Sequence, residues 1–476
     1  MNRKGDVLQL RVVDVAEADK CLARIPGGPV VFIQGPVAVG DLVEARVYKV
    51  KKNYLEARMT SILEPAPGRV EPPCSHFGIC GGCKWQHVDY SIQCQTKRKL
   101  VVDALERIGR QPSPDVAPVQ SCPLPYRYRN KIDLTFSNQR FLLDHELGLD
   151  PTDLDHPADF ALGFHRPGRF NKIIAIDQCH LAPPAFTTAL HITRDFFRDR
   201  RIPPYSTISH QGFLRNLVLR HALATDQFMV YLITSTRDPA LMKDYLNALQ
   251  ARLGTALTTF VNGVTSRKNL VAYAEDLHTD FGPGVITERL EDLSFDIAPN
   301  AFFQTNTRQA LTLYQTVRDL AELSPTDHVL DLYCGTGTIS LFLAPYCSRV
   351  TGFDTEPSAI ENARVNAARN RRPHAAFFRE HLEDLHQALA SHHVPTAPQV
   401  VITDPPRAGM HEKTTQSLIE LAPRRIIYVS CNPASLARDT ALLTEGGYRL
   451  GRVIPVDLFP QTYHIESVAV LDRHQP

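Results

Sequence analysis

Asp331-Leu-Tyr-Cys-Gly335-Thr-Gly337-Thr-Ile-Ser340 is the stretch that decides the fold. It follows the apolar run HVLDLYC and opens the helix-forming run ISLFLAP, so its two glycines can bring backbone close to a ligand at a helix N-terminus. Ser340 stands where a dinucleotide fingerprint would have its third glycine, and an Asp precedes the loop, which disfavours pyrophosphate and indicates something smaller. Working outward, a helix is expected over 307–322, then a strand at RVTGFD, a helix at PSAIENARVNAARN, a strand at QVVITD, a helix over 411–421 and a strand at RIIYVSC. Strands alternating with helices imply a doubly wound sheet whose ligand site lies at the carboxyl ends of the strands. Asp354 ends the strand after the loop, where a carboxylate can accept hydrogen bonds from both ribose hydroxyls of a nucleoside. The plainer alternative is a helix-entry turn beside an exposed Asp.

Asp-x-x-x-Gly-x-Gly followed by a later acidic residue resembles the S-adenosylmethionine loop of Rossmann-like methyltransferases. A second motif, Thr403-Asp404-Pro405-Pro406-Arg407, ends the fourth strand. Its two prolines fix the chain and remove two amide donors, so Asp404 is held at the strand tip. In the similar motif of amino-directed methyltransferases an aromatic residue grips the base; Arg407 occupies that place here, which argues against an exocyclic amine and leaves ring carbon. A third motif, Ser430-Cys431-Asn432-Pro433, puts a thiol at the tip of the fifth strand. A lone cysteine is commonly a core residue. At a strand tip in a uracil-directed site it has a chemical purpose, since C5 of uracil becomes nucleophilic only after a thiolate adds to C6. Removal of the C5 proton then requires a base, for which Glu466 is the candidate and an ordinary surface Glu the alternative.

SFDIAPNAFFQTN, DLYCGTGTISL, TDPPRAG, YVSCNPASLARD and DLFPQTYHIES, in that order, resemble the RNA 5-methyluridine methyltransferase family over residues 295–467. The resemblance implies that Gln304, Tyr333, Thr338 and Asp354 contact S-adenosylmethionine and that Asp404 lines the same site. It also implies that Cys431 is the nucleophile, Glu466 the base, and that His381 lies near the adenine. Thr338 stands where relatives often have Asn, and Asp354 where Glu is common.

The rest of the chain is consistent with such a partner. Lys and Arg number 52 against 51 Asp and Glu, but residues 1–131 hold 20 basic against 13 acidic side chains, so the first part is positive and the remainder negative. That asymmetry suggests a polyanion at the N-terminal side; the bland reading is a solvated mixed surface. No apolar run reaches the length of a membrane helix and the first residues have no signal-peptide core, so a cytoplasmic protein with no membrane contact is expected. No obligate protein partner is expected either. Short alternating strands over 6–61 indicate a small β-barrel, and this region resembles a TRAM domain. Lys49, Lys51, Lys52 and Tyr54 there form a basic and aromatic set suited to RNA, or else an exposed hairpin tip. The segments YRYRNK, with Arg127, Arg129 and Lys131, and FLRNLVLR, with Arg215 and Arg220, also match segments of the resembling family, which implies that they bind phosphates.

Cys74, Cys80 and Cys83 fall within ten residues, with Gly81-Gly82 between the last two. In a reducing compartment this is a metal set, and the spacing alone does not choose between zinc and an iron-sulfur cluster. Cys94, Cys122 and Cys179 are options for a fourth ligand. The resembling branch holds a [4Fe-4S] cluster with C-x5-C-G-G-C and a distant Cys, which favours Cys179 and implies a closed, structural cluster rather than radical chemistry. The expected architecture is α/β: an OB-like TRAM barrel over 1–62, a mixed α/β central RNA-binding domain with the cluster over 63–300, and a Rossmann-like methyltransferase domain over 301–476. The function expected is methylation of uridine C5 in 23S ribosomal RNA. Transfer RNA is the alternative substrate, and a non-catalytic RNA-binding or assembly factor the alternative class.

Overall fold

The computed structural model describes residues 3–16, 20–395 and 397–474, apart from the side chain of Phe170. The chain divides into two compact units, Met1–Lys97 with Phe459–His464, and Arg98–Leu458 with Ile465–Pro476.

In the first unit, β1 (Val7–Val15), β2 (Cys21–Arg24), β3 (Val30–Gln34), β4 (Leu42–Val50) and β5 (Tyr54–Glu64) close into a barrel in the order β1-β2-β3-β5-β4. Alternation along each strand sends Leu10, Val12, Val31, Ile33, Val43, Ala45, Val47, Leu55 and Ala57 inward to one apolar core. Asp41 is fully buried, and its carboxylate accepts from the amides of Ala38 (2.7 Å) and Ala66 (2.8 Å) and from Arg69 (2.6 Å). That anchorage makes Pro65–Arg69 part of the folded unit, not the loose linker its prolines suggest. Farther on, Gln461 O accepts from the amides of Lys84 and Trp85, and Lys97 Nζ donates to Phe459 O, so a segment near the C-terminus is built into this unit.

The second unit begins with the rest of α1 (Tyr90–Arg107), whose Val101 and Leu105 are buried in one core with Leu330, Leu436 and Leu443. Burying each such side chain stabilises the packing by roughly 2 kcal/mol. β6 (Lys131–Ser137), β7 (Ala161–Arg166), β8 (Arg169–Ala175), β9 (Leu214–Ala222), β10 (Gln227–Thr234), β11 (Leu257–Val264) and β12 (Asp276–Phe281) form a sheet in the order β12-β11-β10-β9-β6-β7-β8. Helices α2 (Pro184–Asp199) and α3 (Pro239–Leu253) belong to this part, and a hairpin of β13 (Ile286–Leu290) and β14 (Leu293–Ile297) follows it.

The last part alternates as expected: α4 (Thr307–Ala321), β15 (His328–Leu332), α5 (Thr338–Leu343), β16 (Arg349–Asp354), α6 (Pro357–Arg369), β17 (Ala375–Arg379), α7 (Leu385–Ser391), β18 (Val400–Thr403), α8 (Glu412–Leu421), β19 (Arg425–Ser430), α9 (Pro433–Glu445), β20 (Tyr448–Val456) and β21 (Glu466–Arg473). The sheet order is β17-β16-β15-β18-β19-β21-β20, so the order reverses between β15 and β18, where a crevice opens at the strand tips. β21 runs antiparallel to β19, which brings its first residues to that same edge. No helix among the described residues is long and apolar enough to cross a membrane.

Candidate active site

Register places the motifs. Leu332 pairs with both Phe353 and Thr403, and Thr403 with Tyr428, so the Tyr333, Asp354 and Asp404 tips are neighbours along one edge. Ser430 pairs with Ser467 across the antiparallel step, so Cys431 and Glu466 occupy the next rung. The two are far apart in sequence and adjacent only because β21 returns beside β19.

The glycine loop has the conformation its residues allow. Gly335 and Gly337 have φ of 53° and 76°, and a Cβ on Gly337 would lie 2.8 Å from the ring of Phe377. A side chain there would meet both strained backbone and β17. Asp354 holds the loop: its carboxylate accepts from the amides of Gly335 and Glu356, each at 2.9 Å. Each oxygen keeps a lone pair for a hydroxyl. Thr338 is buried at the start of α5, its hydroxyl 3.2 Å from that of Thr336. Tyr333 has φ of 64°, and its phenol, pushed up by burial, faces Thr414 and the His411 backbone. Gln304 is half-buried in the segment before α4, and its carbonyl accepts from Asn130 at 2.9 Å. His381 is exposed at the turn after β17.

The carboxyls of the crevice are desolvated. Asp404 is half-buried, yet burial of its carboxyl raises its pKa to about 7, and no hydrogen bond from the described residues offsets that. Buried Asp331, also raised to about 7, accepts from Ser340 Oγ at one oxygen, while the other has no partner among the described residues. Glu466 is buried and raised well above the usual range, first by desolvation and then by Asp404, with Arg407 opposing. The Cys431 thiol is raised by burial and by Glu466 and Asp404, and Arg407 hydrogen-bonds to it and opposes the rise. Three carboxyls whose pKa values burial raises in one crevice favour a cationic ligand, which would stabilise their charged forms.

The family described as tRNA (Uracil-5-)-methyltransferase matches residues 246–474, and the TRAM domain matches residues 2–60. An RNA methyltransferase of Chlorobaculum tepidum, itself uncharacterized, is 46% identical over 99% of this chain and 97% of its own. The chain belongs to the RNA uracil-5-methyltransferase family. A related RNA methyltransferase of Porphyromonas gingivalis is 37% identical over 98% of this chain and 100% of its own. Among solved structures, the Pyrococcus abyssi tRNA (uracil-54, C5)-methyltransferase in complex with S-adenosyl-L-homocysteine superposes with a TM-score of 0.73 at 29% identity, covering 98% of this chain and 100% of that one. This methyltransferase therefore uses S-adenosylmethionine and acts on RNA.

Other expectations fared differently. Arg215 and Arg220 are 1% and 4% exposed, and they donate to the carbonyls of Asn269 and Ala301, so burial within β9 assigns them to structure instead of phosphate. In YRYRNK, the amides of Arg127 and Arg129 pair with His180 and Leu181 carbonyls, and Asn130 is buried. Lys49 of the barrel set is exposed but ion-paired with Glu56 at 3.0 Å, whereas Lys51 and Lys52 are exposed at the tip. Among the described residues, no three Cys, His, Asp or Glu side chains form a group that could hold a metal. Cys74, Cys80 and Cys83 belong to the first unit and Cys179 to the second. Cys122 is a buried thiol bonded to the Leu124 carbonyl and approached by Asn306, which fits core better than ligation. Sequence reasoning quoted Asn432 only as part of the Cys431 motif and gave it no role. Asn432 caps α9 through Ala434 N and holds the Arg407 carbonyl at 2.9 Å; an Asn before Pro at a helix start was the available signal.

Proposed function

We propose that this methyltransferase converts a uridine of 23S ribosomal RNA to 5-methyluridine, with Cys431 as nucleophile and Glu466 as base. The observation that carries the reading is the β19–β21 register, which sets a thiol and a buried carboxyl opposite each other on one rung beside Asp404. S-adenosylmethionine, when bound, supplies an electrophilic methyl on a sulfonium. The donor set fits it: the desolvated Asp404 and Asp331 suit a cation, the Gly337 turn admits only close backbone, and Asp354 retains acceptors for ribose. Gln304, Tyr333 and Thr338 complete that set, with His381 assigned to the adenine end.

Cys431 loses its proton to solvent and its sulfur adds to C6, leaving an enolate. The C5 carbon takes the methyl group, and the donor leaves as S-adenosylhomocysteine. Glu466 then removes the C5 proton, C5=C6 re-forms, and the Cys431 thiolate is expelled. One proton is released overall. Arg407 opposes the rise in both pKa values, so it favours the thiolate and the carboxylate that these steps require. Because C6 of a stacked base is inaccessible, the uridine must be unpaired or flipped.

A second substrate, transfer RNA, is favoured by a specific observation: the solved tRNA (uracil-54, C5)-methyltransferase matches nearly the full chain, barrel included. Incubating unmodified ribosomal and transfer RNA with labelled S-adenosylmethionine, then digesting to nucleosides, tests both. Label in 5-methyluridine from ribosomal RNA alone supports the first reading; label from transfer RNA alone replaces the substrate and keeps the chemistry.

Segments 1–62, 63–300 and 301–476 are assigned to RNA grip, central RNA binding with a cluster, and methyl transfer. The cluster assigned to the central segment is [4Fe-4S], on Cys74, Cys80, Cys83 and Cys179. Three thiols in a C-x5-C-G-G-C pattern support it, as does the Gly82 amide, which donates to Cys80 Sγ at 3.5 Å in the manner of a thiolate ligand. Its role is structural. Iron and sulfide analysis of anaerobically prepared wild type and Cys83→Ser tests it, with retained iron in the variant excluding the assignment. The protein is assigned to the cytoplasm, where such a cluster and its RNA substrates would reside.

A further inference from the structure

We infer that Glu288, Thr307 and Asn130 form an oriented hydrogen-bond relay that positions Gln304, so that these three buried residues set cofactor affinity without touching cofactor. The inference rests on the reading of Gln304 as a cofactor contact.

Glu288, on β13, is 0% exposed. One of its oxygens accepts from the amides of Ala224 (2.8 Å) and Arg289 (3.0 Å), the other from the amide of Leu223 (2.7 Å) and from Thr307 Oγ1 (2.9 Å). Three of these four partners are backbone N–H groups, which can only donate, so the Glu288 side chain is an acceptor at both oxygens. The Thr307 hydroxyl has one proton, and it is committed to Glu288. Toward its remaining neighbour, Asn130 Nδ2 at 2.8 Å, Thr307 must therefore accept. That fixes which end of the Asn130 amide is nitrogen. Its second proton goes to the Gln304 carbonyl at 2.9 Å, while the Asn130 backbone amide donates to the Thr305 carbonyl at 2.8 Å.

Each link thus forces the direction of the next, from the turn between β9 and β10, through the hairpin, to the segment before α4. Asn130 is 9% and Thr307 6% exposed, so water is a poor substitute donor at either. Arg220, donating to the Ala301 carbonyl, holds the same segment at its other end. A peptide clamped at 301, 304 and 305 has little freedom to displace the Gln304 side chain. A relay built of one-directional bonds also fails as a whole when any member loses its donor.

The test uses the full chain and S-adenosylhomocysteine as the calorimetric probe. Thr307→Val and Asn130→Asp should each weaken its binding about tenfold, the size of one lost buried hydrogen bond. Each should raise KM for S-adenosylmethionine similarly, with kcat at saturation near wild type, and Thr307→Ser should restore both. If Thr307→Val folds poorly, Asn130→Ala carries the same expectation. Lower Tm with wild-type binding and KM would make the residues merely structural and overturn the relay. Gln304→Ala separates the two claims: affinity lost there but kept in Thr307→Val removes the relay alone, whereas affinity kept in Gln304→Ala removes the cofactor reading of Gln304 and the relay with it.

Discussion

Asp41 in the barrel and Asp404 in the crevice are both carboxyls surrounded by protein, and they differ in what surrounds them. Asp41 meets two amides and a guanidinium. Asp404 meets a desolvating shell with no hydrogen bond from the described residues, and its pKa rises to about 7. Glu288 is satisfied like Asp41, while Glu466 is destabilised like Asp404. Satisfied carboxylates tie segments together, and unsatisfied ones store a preference for a cation or a proton, which is what a site handling both requires.

The sharpest way to break this contrast is at the reacting pair. Cys431→Ala should lower turnover by at least ~10³-fold, since the direct path lacks a nucleophilic C5, while calorimetric binding of S-adenosylhomocysteine stays intact. Comparable turnover in the variant would end the covalent reading. Glu466→Gln should trap a protein–RNA adduct that survives denaturing electrophoresis, because release stops after methyl transfer. Normal release would reassign the base.

Asp404→Asn sharpens the contrast through linkage. A carboxyl whose folded pKa is about 7 binds more protons folded than unfolded between its unfolded value of about 4 and 7, so it lowers stability as pH rises through that window. The variant should consequently melt higher than wild type at pH 8 and equally at pH 4, while binding S-adenosylmethionine more weakly. In wild type, affinity for that cation should decline as pH falls below about 7; a flat profile would detach Asp404 from the site. Asp41→Ala should do the opposite of Asp404→Asn, costing about 2–4 kcal/mol of stability by stranding amides and Arg69, as a denaturation curve would register. The smallest effect is expected at the barrel tip. Lys51→Glu with Lys52→Glu should weaken RNA binding and flatten its salt dependence by about two units of slope, whereas Arg215→Gln should lower Tm and leave the slope alone.

Much of the methyltransferase half was legible because its code is local. Strand tips announced themselves as apolar runs ending in Asp354, Asp404 and Cys431, and helix starts as Pro357 and Pro433. The barrel strands were legible for the same reason, their alternation having period two. The arginines of FLRNLVLR misled, because an exposed phosphate binder and a buried carbonyl clamp have the same residue type. Their alternation with apolar residues could not show that β9 is covered on both faces. The motif DLFPQTYHIES serves two places: Gln461 belongs to the unit around the barrel, with its N and O both engaged there, while Glu466 begins β21.

The sequence by itself determined the elements, the glycine loop and the chemical inventory, since each depends on neighbours a few residues away. Only the tertiary structure decided that Glu466 shares a rung with Cys431, that Asn130 reaches Gln304, and that the Asp404 carboxyl is desolvated. Those facts depend on which strand returns beside which, and on what is left unpaired when it does. Pairing and desolvation are sums over distant segments, so no local pattern carries them.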